Sequence, residues 1–182
     1  MSASVRLSVI GLTGSGKSTC ASIIEELAEE RGLTHARVKL AKPLYDLQAQ
    51  LYEMAGVPLP AGAQDQVLME ALAGAMRRIR PDSLADHFLR RLEQTPADVV
   101  INDDLRDPHV DAVTLRAHGF RIIRVTTRPE LREARLAGRA DPSRSDRSTE
   151  ELDQIEPDAV LDNGGDLANF RAAVRQLVGG WL

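Results

Sequence analysis

Eight consecutive residues near the N-terminus have types and spacing that could do chemistry. Gly11-Leu12-Thr13-Gly14-Ser15-Gly16-Lys17-Ser18 follows the G-x-x-x-x-G-K-[ST] spacing of a phosphate-binding loop. Glycines let the backbone N–H groups turn inward around phosphate oxygens at the positive end of a helix. The Lys17 ammonium would reach the β- and γ-phosphates, and the Ser18 hydroxyl suits Mg²⁺. The spacing predicts a bound nucleoside triphosphate, ATP with Mg²⁺, held by Gly11, Thr13, Gly14, Ser15, Gly16, Lys17, Ser18 and Thr19. Asp162-Asn163-Gly164-Gly165 matches the D-x-x-G of GTPases, but it comes late in the chain and no N-K-x-D guanine signature accompanies it.

A second chemical signal is the apolar run Ala97 to Ile101, which leads through Asn102 straight into Asp103 and Asp104. Acidic residues at the C-terminal end of a strand face the ligand crevice of an open α/β sheet and can hold the nucleotide's Mg²⁺. Asp103 or Asp104 is the expected metal partner of Ser18, and Asp104 or Asp107 the cap of the next helix. Arg106 follows at once and suits a second phosphate group.

Cations supply the third signal. Arg128, Arg132, Arg135 and Arg139 fall at steps of four, three and four, one face of a helix. Like charges on one stripe repel unless something negative lies opposite, so this stripe reads as a lid closing over phosphates. Arg128 is assigned to the donor nucleotide, and Arg132, Arg135 and Arg139 to the transferring group. Of 23 basic residues only Lys17, Lys39 and Lys42 are lysine, which makes Lys39 and Lys42 candidates for phosphate contacts beside Arg77, Arg78, Asp104 and Arg106.

The elements that must position these groups alternate. Val5–Ile10 is a short β-prone run ending at the first glycine, and an amphipathic helix follows Lys17 with Ala21, Ile24, Leu27 and Ala28 inside. Residues 35–40 alternate as a second strand. Helices are expected over 44–55 (Leu44, Leu47, Leu51 and Met54 inside), 64–77 (Val67, Leu68, Ala71, Leu72 and Ala75 inside) and from Pro81 to before Pro96. A helix over 108–118, a strand over 120–126, a strand over 158–162 and a last helix capped by Asp166 complete the chain. Alternation of this kind predicts a parallel sheet wound on both faces by helices.

Composition narrows the classes. The 182 residues fit a single domain, and the net charge of −4 argues against a general nucleic-acid binder. One cysteine, Cys20, excludes an internal disulfide and suits a reducing cytoplasm. No stretch approaches the roughly 18 apolar residues of a membrane helix. The expected partner is a small-molecule nucleotide, with neither nucleic acid nor membrane; a homodimer is compatible with the sequence.

The chain resembles the nucleoside monophosphate kinase group, in particular the bacteriophage-type deoxynucleoside monophosphate kinases. The likeness rests on the loop, Ala41-Lys42-Pro43-Leu44, Asn102-Asp103-Asp104-Leu105-Arg106, the segment Ser148 to Asp153 and the Asp162-Asn163-Gly164 turn. It implies a P-loop NTPase three-layer α/β fold with a five-stranded parallel sheet ordered 2-3-1-4-5. It implies an acceptor-binding helical insertion over about 42–95 and an Arg-rich lid over about 132–150. The implied reaction moves the ATP γ-phosphate to a (deoxy)nucleoside 5′-monophosphate, with Lys17, Arg106, Arg132, Arg135 and Arg139 acting on the phosphates. Two positions depart from the family pattern: Arg147-Ser148-Thr149 stands where a His precedes the Ser-Glu pair, and no aromatic lies near Ser83-Leu84. Two other readings stay open: a kinase of another small acceptor (a modified nucleotide, dephospho-coenzyme A or phosphomevalonate), and a nucleotide-binding module without turnover.

Overall fold

Val5–Ile10 forms β1, and its neighbours in space come from distant sequence. The computed structural model describes residues 4–138, 141–145 and 147–182, leaving aside the Ser148 side chain. β1 pairs in parallel with β3 (Val99–Asn102) on one side and β4 (Phe120–Thr126) on the other. β2 (His35–Arg37) adds to β3, and β5 (Ala159–Asp162) to β4. The order β2-β3-β1-β4-β5 is the expected 2-3-1-4-5, the three-layer fold of P-loop kinases. Both faces of the inner strands are covered, which is why β3 reads as a continuous apolar run instead of alternating.

Alternate residues of the strands feed two cores. Leu7 and Val9 pack with Ile24, Leu27, Phe170 and Val174 under α1 (Lys17–Glu30) and α7 (Leu167–Gly179). Ile10, Val100 and Ile122 pack on the other face with Phe88 of α4 (Ser83–Glu93) and Leu115 of α5 (Asp111–Ala117). The Phe88 and Phe120 rings meet at 5.7 Å in a tilted pair. Cys20 lies in the first core, where burial pushes its thiol up to about 12, as expected of a small buried hydrophobe. No helix among the described residues is long and apolar enough to cross a membrane.

Four local expectations are corrected. The second strand ends at Arg37 instead of Leu40, because side chains from the end of β3 replace the ladder: Asn102 Nδ2 donates to Val38 O (3.0 Å), and Asp104 accepts from Leu40 N and Ala41 N. The helix expected over 108–118 starts at Asp111, since Asp107 Oδ1 collects the N–H groups of His109, Val110 and Asp111; the capping carboxylate is Asp107. α2 (Lys42–Met54) buries Leu44 but leaves Leu51 and Met54 exposed, Met54 at 83%. α3 (Gln66–Ile79) buries only Gln66, and Val67 of its expected apolar face is 56% exposed. These two helices rise from the sheet edge over a cavity, so the core does not dictate their inner faces.

Candidate active site

The donor half is built around the exit of β1. Gly16 has φ +107°, and a Cβ there would lie 2.1 Å from Asn163 Nδ2. That amide donates to Ser15 O at 2.8 Å and is itself buried, so the turn after β5 clamps the loop. Lys17 Nζ donates to Gly11 O (2.7 Å) and Leu12 O (3.0 Å), arched over the loop. Ser18 and Thr19 are exposed in the first turn of α1, while Thr13 and Ser15 are buried with hydroxyls that have no hydrogen-bond partner among the described residues.

α6 (Pro129–Ala137) lies across this loop and buries none of its residues. Arg135 donates to Gly14 O, Ser15 O and Asn163 O, each at 3.3 Å. Arg128 donates to Gly164 O at 2.8 Å, and a Cβ on Gly14 would come within 2.9 Å of Arg132 Cγ. Arg132 also lines a cavity of about 190 Å³ on the flank of the loop, together with Leu12, Ser15, Arg124, Thr149 and Asp153. Three members of the arginine stripe therefore meet the loop and the Asn163-Gly164 turn. Arg139 lies outside the described residues.

At the end of β3 the two aspartates take different tasks. Asp104 Oδ1 accepts from Leu40 N (2.8 Å) and Asn102 Nδ2 (2.7 Å), and Oδ2 from Ala41 N (3.0 Å). Burial raises its pKa, opposed by these hydrogen bonds. Both oxygens are spent on the start of α2, which argues against the metal role expected for Asp104 and keeps it as part of a cavity wall. Asp103 Oδ2 accepts from Arg37 Nη1 (3.2 Å), and Arg37 in turn pairs with Glu25 (2.6 Å) and Ser22 on α1. Asp103 Oδ1 is buried without a hydrogen bond, 3.5 Å from Lys39 Nζ. Lys39 thus serves Asp103 and stacks over the Tyr45 ring at 5.4 Å. Lys42, expected at the acceptor, pairs instead with Asp46 one turn along α2. Neither lysine lines the cavity beside the β3 exit.

That cavity, about 180 Å³, opens between α2, α3 and the β3 exit. Leu40, Leu44 and Tyr45 form one wall; Gln66, Met69, Glu70, Ala73 and Arg77 of α3 form another; Asp104, Arg106, Asp107, Asp111, Arg147 and Glu151 complete it. Arg77 Nη2 donates to buried Asp111 at 2.6 Å, whereas the adjacent Arg78, also expected here, is exposed on the far side of α3. Burial pushes the Asp111 carboxyl up to about 6, with Arg77 pulling it down.

Residues of the segment following α6 are tied to α3 and to the turn before it. Asp141 Oδ1 accepts from Gln64 N (3.0 Å), Ser143 Oγ from Val67 N (3.0 Å), and Ser145 Oγ donates to Glu70 (2.7 Å). Ser143 also hydrogen-bonds Asp65, the N-cap of α3. Within the segment expected to form a lid, the arginines meet the phosphate loop and the serines meet α3.

Sequence reasoning missed Asp111, the Asn163 clamp, and the polar inner face of α3. A signal for the last was present: Gln66, Glu70, Ala73 and Arg77 repeat the four-three-four spacing of the arginine stripe. Among the described residues no group of three or more His, Cys, Asp or Glu is placed to hold a metal ion.

No protein-family model matches the chain, and no curated protein matches it. Among solved structures it is similar to TT1252 of Thermus thermophilus, with a TM-score of 0.59 and 18% identity over 98% of each chain. It is similar to the shikimate kinase of Bacteroides thetaiotaomicron, at 0.56 and 13% identity over 98% of this chain and 99% of that one. A sugar kinase of Janibacter sp. HTCC2649 aligns at 0.52 and 18% identity over 97% and 95%. At such identities the likeness concerns architecture: this chain has the fold of the P-loop kinases.

Proposed function

We propose that this protein is an ATP-dependent phosphotransferase that moves the γ-phosphoryl group to a (deoxy)nucleoside 5′-monophosphate, giving the diphosphate and ADP. The observation that carries the reading is the two-part layout: a phosphate loop under Arg132 and Arg135, and beside it a cavity carrying Arg106, Arg77 and Arg147. The cavity also carries Glu70, Asp104, Asp107, Asp111 and Glu151, but Asp111 is paired with Arg77 and Asp104 with backbone amides, so Arg106 and Arg147 are the cations that suit an anionic acceptor. The kinases of similar fold act on small molecules by their names, a shikimate and a sugar kinase.

Catalysis then needs little acid–base chemistry. A monophosphate oxygen has a second pKa of about 6 and is already largely ionised at neutral pH. The work is positioning and charge neutralisation. Lys17 and the loop amides hold the donor; Arg106 and Arg147 orient the acceptor phosphate; Arg132 and Arg135, with Arg139 from the same stripe, neutralise charge spreading over the transferred group. The exposed Ser18 hydroxyl and the buried Oδ1 of Asp103, which lacks a hydrogen bond, fit a divalent cation, Asp103 best through water because Arg37 and Lys39 already balance its charge. Mg²⁺ so held would offset the charge of the β- and γ-phosphates.

A second reading is favoured by the carboxylates Asp104, Asp107 and Asp111 in the cavity, which would suit a hydroxylated acceptor. ADP release measured with the common nucleoside monophosphates, dephospho-coenzyme A, phosphomevalonate, shikimate and gluconate decides between them. Stimulation by a nucleoside monophosphate supports the proposal; silence with all of them while another acceptor turns over overturns it. Tight ATP binding with no stimulated release by any acceptor would point to a binding module.

A further inference from the structure

Resting on the nucleotide acceptor just proposed, we infer that Arg77 and Asp111 form the base-reading end of the cavity, selecting an edge that pairs one N–H donor with one adjacent acceptor. The inner face of α3 runs from Gln66 to Arg77, which at 1.5 Å per residue is about 16 Å. Gln66 also borders a small cavity with Thr13 of the phosphate loop, so its end of the acceptor cavity is proximal to the donor and the Arg77 end is distal. A monophosphate that presents its phosphate to the donor lays its base toward Arg77.

What waits at that end is an unfinished hydrogen-bond pair. Asp111 has a side chain only 3% exposed. Its Oδ2 takes Arg77 Nη2, but its Oδ1 has no hydrogen-bond partner among the described residues. Arg77 Nε is likewise buried without one; its ion-pair partner Asp107 stands 3.9 Å away, too far for a hydrogen bond. Buried polar groups are satisfied in the great majority of native proteins. Arg77 can only donate, and the carboxylate form of Asp111 can only accept. A ligand edge with an N–H beside a lone pair completes both, and the Watson–Crick edge of a nucleobase is such an edge. A sugar phosphate lacking the base completes neither as a planar pair.

The test is a kcat/KM panel on the full chain with dAMP, dCMP, dGMP, dTMP and 2-deoxyribose 5-phosphate, for wild type and Asp111→Asn. The nearly isosteric amide keeps the shape but can present N–H where the carboxylate presents oxygen. Wild type is expected to favour its best nucleotide over the abasic sugar phosphate by about 10²-fold or more. Asp111→Asn is expected to change the ranking of the four bases, moving at least one ratio by about tenfold. An abasic acceptor as good as the best nucleotide overturns the inference alone. A variant that lowers all five alike also overturns it, since a merely structural Asp111 would do that. If no nucleotide stimulates ADP release in wild type, the nucleotide acceptor itself fails and this inference with it.

Discussion

The phosphate-loop half and the cavity half of this site are built in opposite ways. The phosphate-loop half is nearly contiguous: Gly11 to Thr19 supplies the loop itself, and α6 and the Asn163 turn brace it from elsewhere. The cavity half is assembled from α2, α3, the β3 exit, Arg147 and Glu151, with ties such as Ser145 to Glu70 spanning 75 positions. A contiguous site announces itself through spacing, because backbone geometry alone brings its groups together. An assembled site has no such rhythm, because the fold chooses its members.

The sharpest break of this comparison is at Lys17. Lys17→Met is expected to lower turnover by about 10³-fold while circular dichroism and the melting temperature stay near wild type. A folded variant with normal turnover would show that the loop is not the donor site. Gly16→Ala tests the clamp between halves of the chain: the new Cβ meets Asn163 at 2.1 Å in a left-handed backbone. It is expected to cost about 1–3 kcal/mol, read as a lower urea midpoint with activity lost as well; an unshifted midpoint refutes the clamp.

Arg106→Ala should separate the halves. Losing a charge-assisted contact of about 1.5–3 kcal/mol raises the acceptor KM by about 10- to 100-fold and leaves the ATP KM alone. Equal shifts in both would merge the two sites into one.

The mildest effect concerns pH. Asp111 is raised in the fold from 3.8 to about 6, so the fold favours its neutral form. The stability this confers is complete below pH 4 and lost as pH rises through about 6. Asp111→Asn removes that dependence. Its unfolding free energy is expected to fall less than that of wild type between pH 4 and pH 7, by on the order of 1–3 kcal/mol. Parallel curves from denaturant titrations at the two pH values would show that Asp111 is ionised at no cost.

Much of the frame was legible beforehand. The strand–loop–helix at Val5 to Glu30, the last helix with its Asp166 cap, and the central strand Phe120–Thr126 have local signals that the fold keeps. α3 was misread for a physical reason. Its Val67 and Ala71 looked like a core stripe, but the helix roofs a cavity and turns Gln66, Glu70 and Arg77 into its lining. Asp103 and Asp104 stayed alternatives because a carboxylate after a strand can serve either a metal or a backbone turn, and only the position of Leu40 and Ala41 shows Asp104 holding a turn.

The sequence by itself determined the phosphate loop, the β/α alternation and the arginine stripe, all carried by spacings of fewer than a dozen residues. Tertiary structure decided which partners each aspartate takes, which lysines are already paired, and that Arg77 and Asp111, 34 positions apart, share one contact. Pairing across such a distance depends on how helices pack over the sheet edge, and no local periodicity encodes it.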